Sequence, residues 1–331
     1  MTTRGRPSRT SIYQRLDTQI AELWNRMGGL PNPDEASAIW TGIWYEEAHH
    51  STAIEGNTLV LKQVEALLAE GKAVGDKELK EYLEVRGYAD AARWVYQQAI
   101  APAALSDRSL ISLTELRQIH TTAMTAAWNL APHPDADDRE GPGSFRRHDI
   151  QPFPSGMTPP SWVDVPPRID SWLRRANKLE SRTLEFPDEL AVIHCTFEQI
   201  HPFLDGNGRA GRLVLNLILV RLGYPPAIIF KDQRAKYLRA LARADDGDPG
   251  ALGEFLARAI LDNLYRFIVP AVAGPARLVP LAALATPELS HGALRVAAIR
   301  GRLQATKGPD GQWRSSRAWV EKYVATRYQR S

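Results

Sequence analysis

The residues with the clearest chemical potential lie in one twelve-residue segment, His201–Arg212, which reads HPFLDGNGRAGR. Apolar runs of helical period end just before it and begin just after it, which predicts a tight loop between two helices. Gly206 and Gly208 flank Asn207, and these residue types tolerate positive φ, so successive backbone N–H groups can point to one side. Those groups lie at the start of the second helix, where the dipole favours an anion. The segment therefore predicts an anion site.

Charged side chains in the same segment indicate which anion. Arg209 and Arg212 are three residues apart, so they share one face of the first helical turn, where two cations are unfavourable unless a polyanion binds. Asp205 is a lone carboxylate among donors, which is a common way to hold Mg²⁺ beside phosphates. His201 could act as a general base near neutral pH. Singly each feature is more often structural, but together they predict binding of a di- or triphosphate.

The order and spacing of these residues resemble the signature of the Fic-domain family, His-Pro-Phe-x-Asp-Gly-Asn-Gly-Arg-x-x-Arg, at every fixed position. The resemblance implies a mainly α fold with a Fic-type helical core and a β-hairpin flap. It also implies transfer of AMP from ATP to a Ser, Thr or Tyr hydroxyl of a target protein, with His201 taking the proton and Asp205 holding Mg²⁺. The phosphates would be bound by Gly206, Asn207, Gly208, Arg209 and, for the γ-phosphate, Arg212.

Two further regions resemble parts of the same family. Residues 143–160 resemble the flap that clamps the target, although a plain surface hairpin is the alternative. Tyr237 matches a residue that closes over adenine, although it could simply pack, and Asp245 stands where many members carry Asn. By the resemblance, the flap residues that would pair with an extended target segment by β-augmentation are Ile150, Gln151, Pro152 and Phe153.

A second motif lies at a predicted helix end, where residues 51–57 read STAIEGN. A glycine can take the left-handed conformation that ends a helix. A glutamate in the last turn is disfavoured by the helix dipole unless a cation pairs with it. The motif resembles the Fic inhibitory motif, (Ser/Thr)-x-x-x-Glu-(Gly/Asn), which implies a bidentate pair between Glu55 and Arg212 in place of the γ-phosphate. A capped surface helix is the alternative. The residues of this motif are Ser51, Glu55, Gly56 and Asn57.

The C-terminal segment differs from the rest in charge. Residues 290–331 hold nine Lys or Arg and two Asp or Glu, although the whole chain carries a formal charge of only +3. The pattern of helix, turn, helix, hairpin and last helix, with caps at Ser290 and Ser316, resembles a winged helix-turn-helix of the excisionase type. This implies DNA binding through residues 278–331; a protein-interaction module or a solvated helical cap are the alternatives. The arginines near phosphates or base edges would be Arg295, Arg300 and Arg302.

Length and composition set the domain organisation. With 331 residues, 44% apolar and 24% charged, the chain is typical of a globular protein of about two domains. We expect an N-terminal helical region at 1–105 that carries the inhibitory helix at about 36–57. A Fic core at 106–269 and the winged helix-turn-helix module at 270–331 would follow. The single cysteine, Cys195, excludes an intramolecular disulfide.

Three expectations concern the surroundings of the protein and its function. The sequence shows no signal peptide and no apolar run long enough to span a membrane, which predicts a cytoplasmic protein without membrane contact. A homodimer is an expectation from the family resemblance. Alternatives to AMP transfer are removal of AMP, transfer of another phosphate-linked group, or a DNA-binding regulator that uses the nucleotide pocket as a sensor.

Overall fold

The structure is a computed structural model that describes residues 7–33, 36–100, 109–151, 157–274, 277–308 and 311–327. The chain is mainly α-helical. The helices of its first 130 residues are α1 (Arg9–Met27), α2 (Ser37–Ile54), α3 (Leu61–Glu70), α4 (Leu79–Ile100) and α5 (Leu113–Leu130). The next group comprises α6 (Val165–Ala176), α7 (Phe186–Ile200), α8 (Asn207–Arg221), α9 (Arg234–Asp245) and α10 (Gly250–Asn263). A π-helical stretch at Leu264–Ile268 leads into α11 (Val269–Val272).

Helix α8 is the centre of the core. Every residue from Arg209 to Val220 is buried, and the helix packs against α4, α5 and α7. A helix that is buried on all sides belongs to the interior of a helical protein. Because the signature loop joins α7 to α8, both of its ends are fixed by the most deeply packed helices of the chain.

A buried carboxyl group holds α2 against this core. Glu47 of α2 accepts hydrogen bonds from Tyr88 Oη at 2.8 Å, from Tyr96 Oη, and from Asn216 Nδ2 at 2.7 Å. Burial raises the pKa of Glu47, and the three donors act against that rise. The network links α2 to α4 and α8, so it sets the place where the last turn of α2 presents Glu55.

The segment between α5 and α6 corrects one expectation. Its described residues, 131–151 and 157–161, contain no strand, so the β-hairpin expected at 143–160 is not formed among them. Two of its side chains accept main-chain N–H groups: Arg147 N–H donates to Glu140 Oε1 at 2.5 Å, and Trp162 N–H donates to Asp149 Oδ1 at 2.7 Å. Pro152 and Phe153 lie outside the described residues.

The C-terminal part contains a small antiparallel sheet. Strands β1 (Val279–Pro280), β2 (Thr306–Lys307) and β3 (Trp313–Ser315) are arranged in the order β1-β3-β2. Helices α12 (His291–Ile299) and α13 (Arg317–Thr326) are capped by the side chains of Ser290 and Ser316, as predicted. The first helix of the pattern predicted for residues 278–331 is a single 3₁₀ turn, Leu281–Leu284. None of the described helices is both long and apolar enough to cross a membrane.

This part is docked on the first helix. Arg314 Nη1 lies 2.8 Å from each carboxylate oxygen of Glu22 in α1, and both side chains are almost 90% buried. Arg277 donates to the carbonyl of Arg26 at the end of the same helix. The strand β3 is therefore fixed to α1 by a buried, charge-assisted contact.

Candidate active site

The signature loop is closed by its own asparagine. His201 takes a left-handed conformation, with φ 48° and ψ 61°, and Gly206 does so at φ 80°. Between them, Phe203 N–H donates to Asn207 Oδ1 and Asn207 Nδ2 donates back to Phe203 O, both at 2.8 Å. The Asn207 side chain is thus used inside the loop. The main-chain N–H groups that open α8, with Gly206 before them, lie where the sequence predicts the anion site.

His120 of α5 contacts the signature loop through its imidazole ring. Gly143 N–H lies 2.8 Å from His120 Nδ1, and His120 Nε2 lies 2.8 Å from the carbonyl oxygen of Asp205. The ring stacks on Phe203 with centroids 3.7 Å apart. Burial lowers the pKa of His120 to about 4, so its imidazole is neutral and donates only from Nε2. Sequence reasoning missed His120 because its two polar partners are 23 and 85 residues away.

His201 is neutral and oriented by α7. Burial lowers its pKa to about 4; the carbonyl of Glu198 acts against this shift, and the charge of Arg146 adds to it. Its Nδ1 lies 3.3 Å from that carbonyl oxygen, a contact in which Nδ1 carries the proton. Nε2 is then the basic nitrogen, so at neutral pH this side chain can accept a proton from a hydroxyl group.

Asp205 is held as a carboxylate by the first arginine. Arg209 Nη2 lies 2.9 Å from Asp205 Oδ1. Burial raises the pKa of Asp205, but the Arg209 charge and the Gly206 N–H outweigh it, and the pKa is lowered. The described residues contain no group of three His, Cys, Asp or Glu side chains placed to hold a metal. A single carboxylate fits Mg²⁺, which keeps water and phosphate oxygens as its other ligands.

Arg212, the second arginine of the signature loop, pairs with Glu55, the residue that follows α2. Arg212 Nη2 lies 2.7 Å from Glu55 Oε1, while Arg212 Nε donates to Ser51 Oγ at 2.7 Å and Nη2 also to Ser51 O at 3.0 Å. The pair therefore joins one nitrogen to one oxygen and is not the bidentate pair that was expected, since Ser51 takes Nε and shares Nη2. A Cβ at Gly208 would stand 2.5 Å from Glu55 Oε1, so only a glycine there allows this approach.

The two arginines at the helix start are thus each matched by a carboxylate. Burial raises the pKa of Glu55, but the charge and hydrogen bond of Arg212 outweigh it and the pKa is lowered. Arg212 is buried, and the Glu55 charge raises its pKa against the effect of burial. In this structure the carboxylates of Glu55 and Asp205 offset the charges that the sequence assigned to a polyanion.

Two cavities meet at Glu55. One, of about 860 Å³, is lined by Asp205, Arg209 and the main chain that opens α8. The other, of about 410 Å³, is lined by Arg212, Tyr237 and Asp245. Glu55, His201 and Gly208 line both. A polyanion that contacts both the N-terminus of α8 and Arg212 would have to displace the Glu55 carboxylate.

The smaller cavity is polar at its inner end. Tyr237 Oη lies 2.7 Å from His194 Nε2, and Asp245 Oδ1 accepts the thiol hydrogen of Cys195 at 3.0 Å. Glu198 lines the same cavity, and its Oε1 is buried without a hydrogen-bond partner among the described residues. Burial raises the pKa of Glu198 to about 7. Glu198 could not be identified from the sequence, because a single glutamate near a helix end has no distinguishing spacing.

The remaining predicted residues lie near the same cleft. Ile150 and Gln151 line the larger cavity opposite the signature loop. Gly56 has φ 108°, which suits the turn after α2. Asn57 Nδ2 donates to the carbonyl of Glu81 at 2.9 Å and to Glu84 Oε2 at 3.1 Å, so the segment after α2 is fastened to α4.

Comparison with known proteins agrees with this site. Residues 110–219 match the model of the Fic/DOC family. Protein adenylyltransferase Fic of Drosophila erecta is 33% identical over 258 residues, which is 76% of this chain and 48% of that protein. The protein of the same name from Drosophila melanogaster is 33% identical over 214 residues, 65% of this chain and 40% of that protein. The chain thus spans about half or less of the length of these curated relatives.

Solved structures share the fold. Fic-1 from C. elegans is similar with a TM-score of 0.62 and 25% identity, over 78% of this chain and 72% of that one. A Fic family protein from Desulfovibrio desulfuricans has the same fold over 96% of this chain and 98% of its own, with a TM-score of 0.57 and 21% identity. Residues 110–219 thus match the Fic/DOC family, and the likeness to the solved structures extends the shared fold over most of the chain. Its signature loop lies inside the matched segment.

Proposed function

We propose that this chain is a protein adenylyltransferase, which transfers AMP from ATP to a Ser, Thr or Tyr hydroxyl of a target protein. One observation carries the proposal: a neutral His201, the N-terminus of α8 and Arg212 line the two cavities that meet at Glu55. A proton acceptor beside an anion site is what phosphoryl-type transfer requires. The name of the curated relatives, protein adenylyltransferase, supports the same activity.

The proposed reaction forms one bond and breaks one. The target hydroxyl oxygen attacks the α-phosphorus, and its proton moves to His201 Nε2. The bond between the α-phosphorus and the α,β-bridging oxygen breaks, so pyrophosphate leaves with that oxygen. The N–H groups that open α8 stabilise charge on the phosphoryl oxygens, and Arg212 binds the γ-phosphate. The protein mainly positions the reactants and stabilises charge.

Mg²⁺ would be held by Asp205 and would neutralise charge on the α- and β-phosphates. Asp205 is 40% exposed towards the larger cavity, and its ionised state suits a hard cation. Arg209 shares one of its oxygens, so the two side chains have to adjust to each other when the phosphates enter. Asp205 and Arg209 together then place opposite charges beside one phosphate chain.

Glu55 would keep the resting activity low. It engages Arg212, the group that would bind the γ-phosphate, and it lies where the two cavities meet. Ser51 adds two contacts to the same guanidinium, which holds it towards α2. A nucleotide must displace this pair before Arg212 can bind it in the productive position. The strength of the pair therefore sets how readily ATP binds productively.

The proposal is tested by following each end of the nucleotide. Glu55→Gly is incubated with a cell lysate and ATP labelled at either the α- or the γ-phosphate. We expect the α-label on protein, with an added mass of one AMP, and the γ-label in pyrophosphate. Glu65→Gly, which changes an exposed glutamate of α3, is the matched control and should behave as wild type. Protein labelled from the γ-phosphate would contradict the proposal.

The rival functions give other outcomes in the same experiment. Removal of AMP would appear as free AMP released from a target that was modified beforehand. Arg295, Arg300 and Arg302 of the C-terminal part are exposed, which supports a possible DNA contact by the winged helix-turn-helix module. A Glu55→Gly protein that binds ATP without transfer, yet binds duplex DNA with affinity that falls with salt, would favour the regulator.

A further inference from the structure

Arg146 is a fully buried cation without a close counter-charge. None of its side chain is exposed, and its carboxylate partner, Asp149, lies 3.9 Å away on the exposed side. Burial lowers the pKa of Arg146. A buried positive charge is unfavourable unless its N–H donors are hydrogen-bonded. The hydrogen bonds of the guanidinium therefore indicate the role of Arg146.

All three of its nitrogens donate to main-chain carbonyls. Nε donates to His201 O at 2.9 Å, Nη1 to His148 O at 3.1 Å, and Nη2 to Pro160 O at 2.5 Å. The main-chain N–H of Arg146 donates to Pro202 O at 2.9 Å. These acceptors belong to the signature loop and to residues 143–151 and 157–160, the described residues that we call the docking segment. One side chain therefore connects the catalytic loop with the segment that would receive the target.

We propose that Arg146 is a positioning residue, which fixes the main chain of His201 and sets the docking segment at a constant distance from its imidazole. The proposal rests on the proposed function. A left-handed conformation is unfavourable for a residue with a side chain, so His201 needs outside contacts to keep it. The Arg146 contacts hold the carbonyl groups on either side of the 201–202 peptide bond, and the direction of the imidazole follows from that backbone.

The guanidinium also acts on His201 through its charge. Burial is the largest cause of the lowered pKa of His201, and the Arg146 charge lowers it further. The charged groups that act in the opposite direction are Glu55, after α2, and Asp205, on the signature loop. Removal of the Arg146 charge should therefore raise the pKa of His201. A role in packing alone would leave that pKa where it is.

Two substitutions of Arg146 distinguish the effect of its hydrogen-bond geometry from the effect of its charge. Arg146→Lys keeps the positive charge, but one ammonium group cannot reproduce the planar fork that reaches three carbonyls. Arg146→Gln removes the charge as well. Arg147→Gln is the matched control for the pKa of His201, because it removes the same charge from the neighbouring residue, which is exposed. All are made in Glu55→Gly, and their folding is checked by circular dichroism.

The first readout is the transfer reaction. Arg146→Lys should lower kcat by about 10- to 100-fold, because the base and the target are no longer aligned. The KM for ATP should stay within about twofold, since Arg146 does not touch the anion site. A kcat for Arg146→Lys equal to that of its parent would overturn the proposal, and so would a loss seen only in KM.

The second readout does not depend on activity. The imidazole of His201 is titrated by NMR, with its signal identified from its loss in His201→Ala. Its pKa should rise in Arg146→Gln and stay at the parent value in Arg146→Lys and Arg147→Gln. Equal values in all four proteins would contradict the proposal. If Arg146→Gln fails to fold, the kcat and KM of Arg146→Lys decide. If Glu55→Gly transfers nothing, the proposed function fails, and the titration alone still tests the action of Arg146 on His201.

Discussion

At the residue scale, the protonation state or ion-pair partner of each titratable group in the site is set by its surroundings. Arg209 keeps Asp205 ionised, Glu55 engages Arg212, and burial keeps His201 neutral. In the proposed reaction, ATP and the target hydroxyl would meet a base that can accept a proton and an anion site whose arginines are already in place. What the nucleotide has to change is the partner of each arginine, not its charge state.

The same scale contains the clearest prediction about stability. Glu47→Ala should lower the free energy of unfolding by about 3 kcal/mol or more, because two tyrosine hydroxyls and an amide are left buried without their shared acceptor. Denaturation in urea measures this, with the exposed Glu65→Ala as the control. A loss no larger than that of the control would contradict the role of Glu47 as the centre of this network.

At the element scale, the last turn of α2 acts as one unit with the segment that follows it. Ser51 and Glu55 both contact Arg212, and Asn57 fastens the next residues to α4. Glu55 itself is 40% exposed, so its own packing does not fix it. Its position depends on the helix before it and on the Asn57 contacts after it.

Asn57→Ala should therefore release part of the inhibition. Without the contacts to the Glu81 carbonyl and to Glu84, the segment after α2 should loosen. Basal AMP transfer should then rise by up to about tenfold, towards the level of Glu55→Gly. The measurement is the rate of labelling from α-labelled ATP, with the exposed Asn129→Ala as the matched control. Equal rates in the two variants would show that Asn57 does not hold the inhibitory segment.

The same elements show what a sequence can and cannot reveal. The signature loop was predictable because its functional residues are contiguous, and Glu55 because it lies in a short motif at a helix end. His120, Arg146 and Glu198 gave no such signal, because their roles come from contacts made only after α5, α7 and the docking segment have packed. The sequence predicts that Asn207 takes part in the phosphate site, but it does not show that the Asn207 side chain closes the loop, since a residue type does not tell where its amide points.

At the scale of the whole molecule, α2, α5 and α7 all pack against one buried helix, α8. Its central position means that α2, α5 and α7 all act on the same short loop at its N-terminus. The C-terminal sheet is fixed to α1 through Arg314 and Glu22, on a part of the chain that does not line the cleft. The two cavities at Glu55 and the C-terminal sheet therefore lie on separate parts of the described chain.

The most direct test of the account compares the rate of AMP transfer in three proteins: wild type, Glu55→Gly, and Glu55→Gly combined with His201→Ala. With α-labelled ATP, Mg²⁺ and a lysate, Glu55→Gly should label protein about 5- to 150-fold faster than wild type, the range of typical coupling energies. The added His201→Ala should remove about 10²-fold or more of that rate. Equal rates in wild type and Glu55→Gly with ATP bound, or full activity without His201, would contradict the account.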